Sequence, residues 1–216
     1  MSHKFKYPFR SAINIVCAFL SIVGLVILVY RSATEGTVWH IVSFSIYGTS
    51  LVALWVVSAL YHSLNAANKV LEQLDHSMIY FLIAGTYTPI CLIVLRGGWG
   101  WSLFGINWGL AMTGMILKLV FRHPPRGAKI TFFVFYIVMG WLIIIAWFPL
   151  VRVLPRGGIF WLVLGGMFYT VGAAILNIKR FNFFPQFGAH EIWHLFVMAG
   201  SFCHYWMMLK YILYLG

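Results

Sequence analysis

Acidic side chains are nearly absent from this chain. Four Asp and Glu stand against fifteen Lys and Arg in 216 residues, and charged residues make up only 9% of the sequence. A soluble domain carries about 25% charged residues, so a water-exposed globular fold is excluded and no stretch is left for a separate soluble domain. Cysteine is scarce too. Cys17, Cys91 and Cys203 all fall in apolar sequence and none forms a CxxC pair, which argues against a disulfide framework and leaves them as packing residues. No small-residue cleavage pattern follows the first apolar run, Ile13 to Tyr30, and that run is long enough to span a bilayer, so a cleaved signal peptide is not expected. The net charge of +11 comes without an interleaved basic and aromatic surface. The basic residues sit in short loops between apolar runs, a pattern of membrane topology and anionic headgroups rather than of nucleic acid.

What the chain has in abundance is apolar sequence: 62% hydrophobic residues and a mean hydropathy of +0.90. About 20 residues cross the hydrocarbon core, and seven such spans fit: 11–30, 38–62, 74–95, 99–121, 130–150, 157–177 and 189–215. Pro8, Pro124–Pro125, Pro155 and Pro185 punctuate the connections, as do Gly97–Gly98, Gly127 and Gly157–Gly158. Trp99, Trp101, Trp161, Tyr211 and Tyr214 lie near span ends, where interfacial anchors belong. Within the spans, Gly105 with Gly109 and Gly165 with Gly166 allow close helix approach, and Pro89 is expected to kink the third span. Asn14, Asn107 and Asn177 are candidates for bridging helices.

The basic residues orient the bundle. Lys4, Lys6, Arg10, Lys69, Lys118, Arg122, Arg126, Lys129, Lys179 and Arg180 fall on the N-terminal side; Arg31, Arg96, Arg152, Arg156 and Lys210 fall on the other. Cytoplasmic loops are the Lys/Arg-rich ones. The expected fold is therefore an all-α membrane protein, a single domain of residues 1–216 forming a seven-transmembrane helix bundle, N-terminus in the cytoplasm and C-terminus outside, in the cell membrane.

That topology brings five polar residues to one depth. The second span ends at Ser58 and His62, the third starts at Asp75, and the seventh starts at His190 and His194, all at the cytoplasmic face. Polar and ionisable groups in a membrane are costly and need an explanation. His190 and His194 differ by about 40° around a helix and by one turn along it, so they can share one metal or can be two interfacial histidines. His62 at the same depth favours the metal. Three imidazoles and a carboxylate are the components of an open zinc site. Ser58 shares a face with His62 one turn deeper, as a small residue at a helix contact or as a partner for Asp75. Asp75 is the one carboxylate placed to work with the histidines, as a general base, as a helix cap, or both. Glu35 and Glu72 are expected in loops. Glu191 lies about 100° from His190 and is expected to point elsewhere. His204, roughly 15 Å further along the helix, is too far to share the metal and reads as structural. His76 is left out, and His3, His40 and His123 need no special role.

The run SALYH, then LDHSMIYFLIAGTYTPI, then HEIWHLFVMAGSFCHYW resembles the hemolysin III family, the bacterial branch of the progestin and adipoQ receptor group that includes the adiponectin receptors. The resemblance implies seven helices with a cytoplasmic N-terminus. It also implies Zn²⁺ held by His62, His190 and His194, with Asp75 at a fourth, water-filled position and Ser58 in support. Many relatives carry an acidic pair followed by an Asn and a His at the start of the first span; here the region reads FRSAINIVCAF, where Asn14 alone matches. Related alkaline ceramidases suggest hydrolysis of a lipid amide or ester, with membrane lipids as substrate. The alternatives are a regulator of membrane fluidity or energetics, in which zinc pins helices together, and a cytolytic pore. No row of charges lines a path across the membrane, which argues against the pore. The oligomeric state has no signature in the sequence.

Overall fold

A computed structural model describes residues 8–64, 69–121, 126–177, 182–184 and 187–215. His3, Lys4, Lys6, Arg122, His123, Pro124–Pro125, Lys179, Arg180 and Pro185 lie outside the described residues, as does the side chain of Asn177. The elements are α1 (Pro8–Glu35), α2 (Val38–Ser63), α3 (Lys69–Pro89), α4 (Gly98–Val120), α5 (Arg126–Trp141), α6 (Trp147–Val153), α7 (Arg156–Asn177) and α8 (Ala189–Lys210). A short antiparallel hairpin, β1 (Asn182–Phe184) and β2 (Phe187–Gly188), leads into α8.

Among the described residues, six segments are long and apolar enough to cross a membrane: Arg10–Glu35, Val38–Ser63, Lys69–Val94, Gly98–Val120, Thr131–Val153 and Arg156–Leu176. The seventh expected span, α8, falls outside that set because it is the helix carrying His190, Glu191, His194, His204 and Lys210. Its 22 residues still reach about 33 Å. It also lies beside α1 from end to end and parallel to it: Arg10 pairs with Glu191, the Tyr205 hydroxyl donates to the Gly24 carbonyl and Arg31 donates to the Tyr214 hydroxyl. In its most apolar stretch, the Lys69–Val94 segment buries 78% of its residues against 22% for the corresponding stretches of Gly98–Val120, Thr131–Val153 and Arg156–Leu176. α3 is thus the central helix, and the exposed apolar residues of the outer helices (Phe19, Val26, Ile116, Phe148 and others) form a lipid-facing coat.

Proline sets the irregular backbone. Pro89 ends α3, and Ile90–Val94 continue as a π turn closed by the Leu95 amide on the Ile90 carbonyl. The expected span 130–150 is not one helix. α5 stops at Trp141 and Leu142–Ala146 form a 3₁₀ segment before α6 resumes. Pro149 lacks the N–H that would bond Ile145, and its ring crowds that carbonyl. Tyr87 of α3 repairs part of the break: its hydroxyl donates to the Gly140 carbonyl and accepts from the Ile143 amide. Asn107 does bridge helices, donating to the Met139 carbonyl. Asn14 is fully buried, and neither atom of its amide has a hydrogen-bond partner among the described residues.

The expected roles of the glycines need correction. Gly105 and Gly109 face open space, outward from the bundle. Close approach occurs instead at Gly85, against the Ser50 side chain, and at Gly100, against the backbone carbonyls of Cys91 and Leu95 in the turn after α3. Gly165 does sit against a neighbour, the His204 ring. Backbone oxygens cannot step aside as a side chain can. Gly100→Ala is therefore expected to cost about 1–3 kcal/mol, whereas Gly105→Ala should be neutral or gain up to about 1 kcal/mol in helix propensity. Thermal unfolding of the two variants in detergent checks the contrast.

Candidate metal centre

The centre lies where the last turn of α2 meets the first two turns of α8. His62 is the penultimate residue of α2, and His190 and His194 stand one turn apart on α8. Ring centroids are 5.2 Å apart for His62 and His190, 5.1 Å for His62 and His194, and 4.9 Å for His190 and His194. One ligand atom from each lies within 4.8 Å of the other two. The Nε2 atoms of all three are buried and have no hydrogen-bond partner among the described residues. A buried polar atom without a partner is destabilising, and three of them beside one another is a donor set that suits a cation. Imidazole nitrogens fit a first-row divalent ion, with a metal–nitrogen bond of about 2.0–2.1 Å for zinc. The cluster can hold a metal ion; imidazole donors alone do not choose zinc over nickel or cobalt.

Ser58 is buried one turn before His62, and it faces the same cleft as the Asp75 carboxylate. Both line a cleft of about 40 Å³ with His194, Trp55, Trp193 and Tyr169, room for water beside the imidazoles. Asp75 is not one of the clustered ligands. Nor is it in the first turn of its helix. α3 begins at Lys69, so Glu72, expected in a loop, takes the first-turn position and Asp75 stands in the second turn. Glu35, also expected in a loop, is the last residue of α1 and pairs with Arg31.

Glu191 does point away from the cluster, but into a buried ion pair. One carboxylate oxygen accepts from the Arg10 Nε at 2.5 Å and the other from the Gly188 amide at 2.9 Å. The Ser11 hydroxyl donates to the His62 carbonyl at 2.8 Å. Sequence reasoning placed Arg10 among the topology charges and passed over Ser11. The signal that pointed to Arg10 is the rarity of acids: a carboxylate in the first turn of an apolar helix needs a partner. His204 and His40 tie helices together, His204 through Nε2 to the Leu162 carbonyl and His40 through Nε2 to the Ile212 carbonyl.

The Haemolysin-III related family model matches residues 6–205. The chain belongs to the haemolysin III family. It is 43% identical to "Hemolysin-3" of Bacillus cereus over 199 residues, covering 91% of this chain and 87% of that protein. It is also 43% identical to the "Hemolysin-3 homolog" of Bacillus subtilis (strain 168) over 194 residues, 89% of this chain and 87% of the relative. The human "Monocyte to macrophage differentiation factor" is similar at 26% identity over 205 residues, 90% of this chain and 81% of the relative. This haemolysin III protein is a multi-pass membrane protein of the cell membrane.

A second cavity adjoins the cleft of this haemolysin III protein. The two share Ile79, Leu82, Tyr169 and Trp193. The larger space holds about 130 Å³ between α3, the broken α5–α6 segment, α7 and α8, and its walls are almost wholly apolar. Ile144, 58% exposed on the outer face of the 3₁₀ segment, lines it, so the space communicates with the lipid side of the bundle.

Purified protein is expected to take up one divalent ion per chain. His62→Ala, His190→Ala and His194→Ala should each lower that stoichiometry or weaken binding by about 100-fold, and His204→Ala should leave it unchanged. Elemental analysis after equilibrium dialysis distinguishes these outcomes.

Proposed function

We propose that this haemolysin III protein is a seven-span, metal-dependent hydrolase of membrane lipid amides or esters, working on zinc at the cytoplasmic face. The observation that carries the reading is the junction of three features. A three-imidazole cluster adjoins a water-sized cleft lined by Ser58 and Asp75, and an apolar space with a lipid-exposed wall lies next to that cleft, with four lining residues in common. A pocket for a polar lipid alone needs no convergent nitrogens, and a metal site alone needs no apolar annex.

The parallel course of α1 and α8 supports an odd number of spans, because two helices running the same way enter from the same side. The excess of Lys and Arg on the N-terminal side supports a cytoplasmic N-terminus. Together they put His62, His190, His194, Ser58 and Asp75 at the inner leaflet.

Bound at the imidazoles, zinc supplies Lewis acidity, lowering the pKa of a water to about 7 and stabilising developing charge on a carbonyl oxygen. The chain's own residues do the rest. Asp75 accepts the proton from a water in the cleft as its oxygen bonds to the carbonyl carbon of the lipid. Ser58, which lines the cleft beside the carboxylate, fixes its orientation by donating a hydrogen bond to it. When the carbon–nitrogen or carbon–oxygen bond breaks, Asp75 returns the proton to the departing amine or alcohol. Ile79, Leu82 and Trp193, shared by both spaces, guide the chain of the lipid from the larger cavity toward the carbonyl's position. Water is kept out on that side by the apolar walls.

A regulatory reading is favoured by one feature: the three imidazoles come from two helices that are distant in sequence, so an ion there would also fasten α2 to α8. The two readings part at Asp75. In proteoliposomes with labelled ceramides and phospholipids, Asp75→Asn is expected to lower turnover by about 10²–10⁴-fold while the metal content stays at the wild-type level. Equal turnover by wild type and Asp75→Asn rejects Asp75 as the base. Absence of turnover from either protein, with metal bound, leaves the fastening role.

A further inference from the structure

Two of the three clustered histidines stand where helices are weakest. His190 is the second residue of α8 and His62 the penultimate residue of α2. The first four amides and the last four carbonyls of a helix have no partner within it, and terminal turns open most readily. Metal ligands need positions held to a fraction of an ångström. Something must hold these two turns.

Both are held by consecutive residues of α1. Arg10, its side chain 19% exposed, donates through Nε to the 5% exposed Glu191 carboxylate at 2.5 Å. The second Glu191 oxygen accepts from the Gly188 amide, just ahead of α8. The Glu191 carboxylate is thus fixed from both sides, and with it the backbone turn that carries His190. Ser11 Oγ donates to the carbonyl of His62 itself, one of the unpaired carbonyls at the end of α2. The two contacts act on opposite sides of the cluster, one on each helix that supplies ligands. Neither Arg10 nor Ser11 is near enough in kind to bind the ion: a guanidinium repels a cation, and the hydroxyl is engaged with a backbone oxygen.

We propose that Arg10 and Ser11 are positioning residues for the metal centre, a clamp in the first turn of α1 that fixes the end of α2 and the start of α8 at the separation the three imidazoles require. The clamp rests on the metal-centre reading for its purpose, but its mechanical part stands apart from any ion. It also gives the first turn of α1 a role in a chain where the acidic pair expected from the family resemblance is missing: the charge there is reversed, and the partner is an acid on α8.

The test uses the full-length protein in detergent or nanodiscs, with Arg10→Ala, Ser11→Ala and Arg10→Lys, and with Asn107→Ala as a control that removes a buried helix–helix bond elsewhere. Three quantities are read: Zn²⁺ affinity against a competing chelator, the visible bands of Co²⁺ loaded in its place, and amide exchange of metal-stripped protein. Arg10→Ala and Ser11→Ala are expected to weaken Zn²⁺ binding by about tenfold to a hundredfold and to alter the Co²⁺ bands. In the stripped protein, Arg10→Ala should speed exchange at the start of α8, and Ser11→Ala should loosen the end of α2. Arg10→Lys restores part of the affinity, and Asn107→Ala lowers the melting temperature without changing the affinity or bands. Wild-type affinity and bands in both alanine variants overturn the proposal, as does an equal loss in Asn107→Ala, which reduces the effect to general stability. If wild type itself takes up no ion, the metal-centre reading fails, and unchanged exchange in the alanine variants then overturns the clamp separately. Should Arg10→Ala not fold, Arg10→Lys and Ser11→Ala decide by the same readouts.

Discussion

A polar atom inside a bilayer must find a partner within the protein, because lipid offers none. This constraint organises the chain more than any other. Most polar side chains of the spans meet it locally: Thr86, Thr88, Thr113 and Thr170 return their hydroxyls to carbonyls one turn back. His40 meets it across helices, as do one side-chain nitrogen of His204 and the amide nitrogen of Asn107. The Nε2 atoms of His62, His190 and His194 meet it in neither way. They belong to three neighbouring imidazoles whose ligand atoms lie within 4.8 Å of one another, a set that can hold a cation. Everything proposed about function starts from that unmet requirement.

The rest of the bundle can be understood as what lets those nitrogens be neighbours. α2 and α8 are separated by well over half the chain, and the cluster exists only if their ends are brought to the same depth. α1 provides the common reference, antiparallel to α2 at Ser11 and parallel to α8 along its length. The central α3 delivers Asp75 beside Ser58 and closes the cleft from the other side. Its own straightness ends at Pro89, and the broken α5–α6 segment, a consequence of Pro149, leaves the apolar space that adjoins the cleft. Two prolines on different helices thus shape the approach to a site that neither touches.

Much of this could be read before folding. Six spans among the described residues, the breakers between them and the meeting of Ser58, His62, Asp75, His190 and His194 at one end of the bundle follow from apolar run lengths and the alternating direction of the helices. Other features could not. Gly105 and Gly109 have the spacing of a helix contact, yet they face outward, because spacing fixes a shared face and not which neighbour it meets. Pro149 was visible, but a long apolar run conceals a break, since hydropathy does not register a missing amide. Arg10 was counted as one more cytoplasmic charge, and its place opposite Glu191 depended on α1 lying beside α8.

What the sequence determined by itself is the class of the protein and the end of each helix at which its polar residues lie, because position along an apolar run and the alternation of helix direction fix that end. What only the tertiary structure decided is who meets whom: the clustered imidazoles, Ser58 and Asp75 on one cleft, the bonds from Arg10 and Ser11 to two helix ends, and the apolar space beside the broken helix. The rotation of each helix about its axis and the choice of its neighbours come from packing among several helices at once, and no single stretch of sequence holds that information.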